Sequence, residues 1–139
     1  MKKRLSILLV MLICLLTVTA CAKEAPTGLW KDATYQENAS FGNGKTTVEV
    51  EVKAADKSVT FTVKTDKATL GDALIEHGLV EGDQGDYGLY IKKVNGITAD
   101  YDVDQSYWGL YKNGEALMTG ADSTEIKDGE HYELVYTQS

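Results

Sequence analysis

From Thr46 onward the chain alternates. Val48, Val50, Val52 and Ala54 are separated by Glu49, Glu51 and Lys53, and Val59, Phe61 and Val63 by Thr60 and Thr62. A period of two sends successive side chains to opposite faces of a pleated ribbon, so both stretches predict strands with one buried face. The short Ala55-Asp56-Lys57 connection makes them a hairpin. The period then lengthens. Leu70, Ala73, Leu74 and His77 fall at i, i+3, i+4 and i+7, one face of a helix. Thr69 is placed to cap its first turn, with Asp72 three residues on, and Gly78 suits the left-handed residue that ends it. Gly71 weakens such a helix by about 1 kcal/mol against alanine; the expectation is that it lets the helix sit close to the sheet.

Further strands follow. Leu89 to Val94 is closed by an Asn95-Gly96 turn and Tyr107 to Lys112 by Asn113-Gly114. Ala116 to Met118 is a short strand, and His131 to Thr137 is entered through Asp128-Gly129. Glu81 to Asp86 reads as an acidic loop. Hairpin, helix, then three or four strands describe an α+β domain, order ββαβββ(β), with a single helix packed across a mixed sheet.

The N-terminus has another pattern. Lys2, Lys3 and Arg4 precede Leu5 to Leu16, where Ser6 is the only polar residue. This is the order of a secretory signal, and its apolar run is short against the roughly 20 residues of a membrane span. Val18-Thr19-Ala20-Cys21 resembles the bacterial lipobox. That resemblance implies a diacylglycerol thioether on Cys21, which becomes the new N-terminus of a palmitate-bearing lipoprotein held outside the cell membrane. Acyl chains bury at roughly 0.8 kcal/mol per CH₂, so two chains anchor far more firmly than one. The chain thus divides into a signal peptide over 1–20, a tether over 21–45 and a domain over 46–139. The tether holds the only proline, Pro26, and the turn-rich Phe41-Gly42-Asn43-Gly44. Its Gly28-Leu29-Trp30 and Ala33-Thr34-Tyr35 stretches are apolar enough to pack on the domain, and the pattern leaves that open.

Charge narrows the partners. Of the formal net charge of −7, the signal segment holds +3, so the mature chain carries −10. That acidity argues against nucleic acid and against anionic headgroups. Cys14 is lost with the signal and Cys21 is consumed by lipid, so no disulfide and no thiolate ligand or nucleophile is expected.

The run Thr69-Leu70, Leu74, Ile91, Val94-Asn95-Gly96-Ile97, Tyr107-Trp108, Tyr111, Asn113-Gly114, Gly120 and Asp128-Gly129 resembles the DUF4430 family. This is the β-grasp domain related to the C-terminal domain of transcobalamin and intrinsic factor. The resemblance spans roughly residues 46–137 and implies a β-grasp-like mixed sheet. In the vitamin carriers this domain closes over one side of cobalamin. The stretches that match their contacts imply a ligand-binding set of Val94, Asn95, Gly96, Tyr107, Trp108, Gly109, Leu110 and Tyr111 for a corrinoid-like ligand. The chain departs from the carriers by lacking their large helical domain and by having Gly109 where they place polar or bulky residues.

Other chemistry is weighed residue by residue. Alternation puts Tyr107, Gly109 and Tyr111 on one face of their strand, with Trp108 and Leu110 on the other. Trp108 is either part of an aromatic ligand platform or a core residue. Asp100, Asp102 and Asp104 are spaced like a calcium loop, but Gln105 and Tyr111 stand where an EF-hand needs glycine and glutamate. The run reads as a solvated acidic loop, as do Glu81, Asp83 and Asp86. His77 and His131 are the only histidines, and a zinc site would need both plus acids; no metal centre is expected. Ser106 and Ser123 carry no nucleophile signature, so no catalysis is expected. Two function classes remain. One is a module for a corrinoid-like or other small soluble ligand. A transporter is a partner that would fit this reading. The other is an envelope interaction or adhesion module whose sheet adds to, or stacks on, another surface protein.

Overall fold

The computed structural model describes residues 25–139, so the expected signal segment 1–20 and Cys21 lie outside the described residues. The alternating hairpin forms as β2 (Thr46–Ala54) and β3 (Lys57–Thr65), joined by a two-residue turn in which Ala55 takes φ 52°. Lys57, expected in the connection, already pairs with Ala54. Val48, Val50, Val52, Ala54, Val59, Phe61 and Val63 all face inward and are at most 2% exposed. Each large apolar side chain buried this way contributes roughly 1.5–3 kcal/mol.

Helix α1 spans Leu70–Glu76, and its cap forms as expected, the Thr69 Oγ1 accepting from the Asp72 N–H at 3.3 Å. Leu70, Ala73 and Leu74 are buried, whereas His77 already lies past the last helical residue. Gly71 corrects the expectation of a close helix–sheet contact. A Cβ there would come within 2.8 Å of the Asp122 backbone nitrogen, so what approaches is the 3-10 turn Ala121–Ser123.

β9 (His131–Gln138) lies between β2, to which it runs parallel, and β7 (Ser106–Lys112), to which it runs antiparallel. With β1 (Ala39–Phe41) and β8 (Glu115–Ala116) the large sheet has the order β1-β3-β2-β9-β7-β8. The first strand of the hairpin and the last strand of the chain are thus central neighbours. A second sheet has the order β4-β5-β6, from β4 (Val80–Gly85), β5 (Gly88–Val94) and β6 (Ile97–Thr98). The expected single sheet is therefore two, because β4 and β6 occupy both edges of β5. The expected acidic loop at Glu81 to Asp86 is mostly strand. Only Val80 of β4 is buried, so alternation is absent, and backbone pairing to β5 defines the strand. A bulge falls between Glu81 and Gly82, where a Cβ on Gly82 would lie 2.0 Å from the Tyr90 carbonyl oxygen.

The Asp100–Asp104 run is a one-turn helix, α2 (Tyr101–Asp104), and two of its carboxylates serve the backbone. Asp100 accepts from the Asp102 N–H at 3.0 Å and Asp104 from the Ser106 N–H at 3.1 Å.

The stretch whose packing the sequence left open is part of the core. A 3-10 turn over Gly28–Asp32 buries Trp30 to 5% exposure, and its indole N–H donates to the Ala54 carbonyl at 2.8 Å. The Lys57 ammonium lies 4.7 Å from the centre of the same indole. Tyr35, Phe41 and Phe61 meet edge to face with ring centres 5.1–5.7 Å apart. β1 then adds to β3 in parallel. These side chains join the two sheets and α1 around one hydrophobic core.

Candidate functional site

The expected ligand-binding residues divide between two surfaces. Val94 and Asn95 are buried at 1% exposure. Asn95 clamps the N-terminal stretch, its Oδ1 accepting from the Tyr35 N–H and its Nδ2 donating to the Tyr35 carbonyl, both at 2.9 Å. Gly96 faces the same stretch; a Cβ on it would lie 2.5 Å from the Asp32 carbonyl oxygen. It borders a shallow, mainly polar hollow of about 280 Å³ shared with Asp32, Thr34, Glu81 and Lys93. Trp108 is in the core, its indole N–H donating to the Ile97 carbonyl at 3.2 Å and its ring edge-on to Tyr136 at 5.6 Å. Leu110 packs on the same core. Val94 and Trp108 thus belong to the hydrophobic core, whereas Asn95 and Gly96 hold the N-terminal stretch. Tyr107, Gly109 and Tyr111 face the other way.

That other way is an open sheet face, and the register fixes its layout. Across β7, β9, β2 and β3, one row reads Gly109, Val135, Lys53, Ser58. The next reads Tyr111, Glu133, Glu51, Thr60, and the next brings His131 beside Glu49 and Thr62. Gly109 has a reason here. A Cβ on it would lie 2.9 Å from the Tyr111 ring, so the glycine makes room for that ring to lie over the strand.

Glu51 and Glu133 are direct cross-strand partners near the middle of the sheet. Like charges in that relation repel, and these are sheltered from water, with side chains 23% and 16% exposed. One ammonium and one imidazole lie against the pair. The Lys53 ammonium lies 2.9 Å from Glu133 Oε2 and 3.8 Å from Glu51 Oε2. The hydrogen bond to Glu133 holds the Lys53 ammonium above its ordinary pKa despite partial desolvation, and Glu51 adds to the rise. From the other side the His131 Nε2 lies 3.5 Å from Glu51 Oε2, and its Nδ1 lies 3.4 Å from Glu49 Oε2.

Glu51, His131 and Glu133 can each turn one ligand atom to a common point, these atoms lying within 4.8 Å of one another. One imidazole and two carboxylates are a donor set for a divalent transition ion, with positions left open towards solvent. Calcium and magnesium prefer oxygen alone. The pairing of both histidines weighed from the sequence does not form. His77 packs on Phe41, ring centres 5.8 Å apart, with its Nε2 3.6 Å from Glu76, on the helix side of the sheet. The Ser106 hydroxyl donates to the Asp104 carboxylate and accepts from the Asp100 N–H.

His131 is visible in the sequence as one of two histidines, but nothing local links it to Glu51. Alternation alone puts Glu49 with Glu51, and His131 with Glu133, on the outward faces of their strands. Missing was the parallel register of β2 against β9, which joins residues about 80 positions apart.

On the inner side of β9, Tyr132 is fully buried beneath an ion pair between Lys112 and Glu130. Burial, reinforced by the Glu130 charge, pushes the Tyr132 hydroxyl up to about 12. Burial also opposes ionisation of Glu130. The Lys112 ammonium and the Lys127 N–H outweigh it and hold the carboxyl below its usual range.

Comparison with known proteins agrees with this architecture. No curated protein matches the chain. A crystal structure of a putative metal binding protein from Ruminococcus gnavus is similar at 36% identity and TM-score 0.65, covering 68% of this chain and 99% of that one. Haptocorrin in complex with Cbi is similar at 21% identity and TM-score 0.55 over 70% of this chain; the match spans 26% of haptocorrin, and the likeness is one of fold. The profile of DUF4430, a domain of unknown function, matches residues 67–138, more than half of the chain, and the chain belongs to the DUF4430 family.

Proposed function

We propose that this chain is an extracytoplasmic lipoprotein, anchored through Cys21, whose small non-catalytic domain binds a divalent transition-metal cation at Glu51, His131 and Glu133. One observation carries the reading: an imidazole and two half-buried carboxylates converge on the open face of the sheet, with the carboxylates directly opposed. Opposed carboxylates are costly unless a cation lies between them. The 36% identical protein, described as a putative metal binding protein, supports the same reading. The anchor is supported by the lipobox-like Val18-Thr19-Ala20-Cys21 behind an apolar run.

Calorimetric titration of chelator-treated protein with Zn²⁺, Co²⁺ and Mn²⁺ tests the site. Stoichiometric binding of at least one ion is expected, lost in Glu51→Gln/Glu133→Gln and in His131→Ala; heats unchanged in these variants would sink the assignment. Radiolabelled palmitate tests the anchor. Label in the membrane fraction is expected, and its persistence in Cys21→Ser would contradict the anchor.

A second reading keeps a flat corrinoid-like ligand, favoured by Tyr107 and Tyr111 sharing the open face, with Tyr111 directly opposite Glu133 of the cluster. Titration with cobalamin separates it from the first, since only this reading expects a change in the visible spectrum. A transporter or other envelope protein would be the natural recipient of either ligand.

A further inference from the structure

We infer that Lys53 is a built-in competitor for the cation, so that metal loading is an exchange in which its ammonium leaves the carboxylate pair. This rests on the metal-site reading above and adds how the site is regulated.

The contacts of Lys53 end on the atoms a metal would need. Its ammonium reaches the Oε2 of Glu133 and the Oε2 of Glu51, and the latter oxygen also faces His131 Nε2 at 3.5 Å. Carboxylate–metal bonds are roughly 2.0–2.2 Å long. A cation bound that closely to both carboxylates would share these oxygens with the ammonium. Two positive charges a few ångströms apart over half-buried oxygens repel strongly and are poorly screened. One must go, and Lys53 can. Its side chain is 41% exposed, and its flexible stem can swing into solvent. Its row neighbours are Val135 and Ser58, neither of which offers a charge that would hold it in place. Among the described residues its ion pairs are with these two carboxylates.

Two properties follow. The cation-free protein never faces an uncompensated Glu51–Glu133 pair, so the sheet tolerates the site without metal. Affinity is also weaker than the donor set alone would give, because binding must displace the lysine. This is the behaviour of a reversible loading site, in contrast to a permanent structural metal.

The test is Zn²⁺ titration of the purified full chain beside Lys53→Met and Lys53→Arg, with Lys53→Gln in reserve should the methionine variant fail to fold. Removing the charge should tighten zinc binding by about tenfold or more. It should also lower the melting temperature of the cation-free protein and enlarge the rise that zinc produces. Lys53→Arg, which keeps the bridge, should bind no more tightly than wild type. A silent wild type with a binding Lys53→Met would support the competition directly. Wild-type binding with Lys53→Met within twofold of it would overturn the competition and leave the metal site standing. Silence in every folded variant would remove the site itself and the inference with it.

Discussion

The same four strands, β3, β2, β9 and β7, present two faces that follow opposite rules. Inward, Val50, Phe61, Leu134 and Trp108 are buried, and three polar groups beside them find backbone partners: the Trp30 indole at Ala54, the Trp108 indole at Ile97 and the Asn95 amide at Tyr35. Outward, two carboxylates oppose each other and are tolerated through the Lys53 ammonium. The inner face spends its residues on packing, where each truncation leaves a cavity. The outer face holds an arrangement that packing does not require and that surface electrostatics barely stabilises. Apolar packing and the charged cluster are thus separated by the strand period itself, residue by residue.

The sharpest way to break this division is to truncate an inner aromatic. Trp108→Ala should cost about 3–5 kcal/mol of stability in urea unfolding, as expected for a buried indole. A variant that stays as stable as wild type would return Trp108 to the ligand-platform reading. Next comes alkali. The folded-state pKa of Tyr132 is raised to about 12 from an unfolded value of 10.0. Its contribution is therefore fully present below pH 10 and lost as pH rises towards 12, amounting to roughly 2–3 kcal/mol. Unfolding followed between pH 9 and 12 should show this fall, and Tyr132→Phe should flatten it.

Smaller effects sharpen the comparison. Thr69→Ala removes the helix cap and should cost about 1 kcal/mol, with the loss read by thermal melting. At the smallest end, Glu51→Gln on the outer face should change cation-free stability by under about 1 kcal/mol in either direction. The same substitution should abolish metal binding. An inner-face-sized loss would mean that the outer cluster is structural.

What was legible in the sequence follows the same division. The hairpin, the helix with its Thr69 cap and the Asn-Gly turns were readable because each is a local pattern with one dominant cause, alternation, periodicity or turn chemistry. β4 was not, because its exposed residues leave no alternation and only pairing with β5 defines it. The packing of Trp30, Tyr35 and Phe41 was not, because three aromatics in a turn-rich stretch carry no period. The cluster was half legible. His131 stood out by rarity, whereas Glu51 and Glu133 looked like ordinary outward charges until the parallel pairing of the first hairpin strand with the last strand brought them together. Long-range register carries no local signature, and the site exists only through it.

The most direct measurement is anomalous diffraction from crystals of the protein grown with Co²⁺ or Zn²⁺. The account predicts one strong peak on the outer sheet face, about 2.0–2.2 Å from His131 Nε2 and from an oxygen of each of Glu51 and Glu133, with the Lys53 ammonium turned away. A lone peak elsewhere, or none at full ion concentration with Lys53 still bridging the carboxylates, would contradict it.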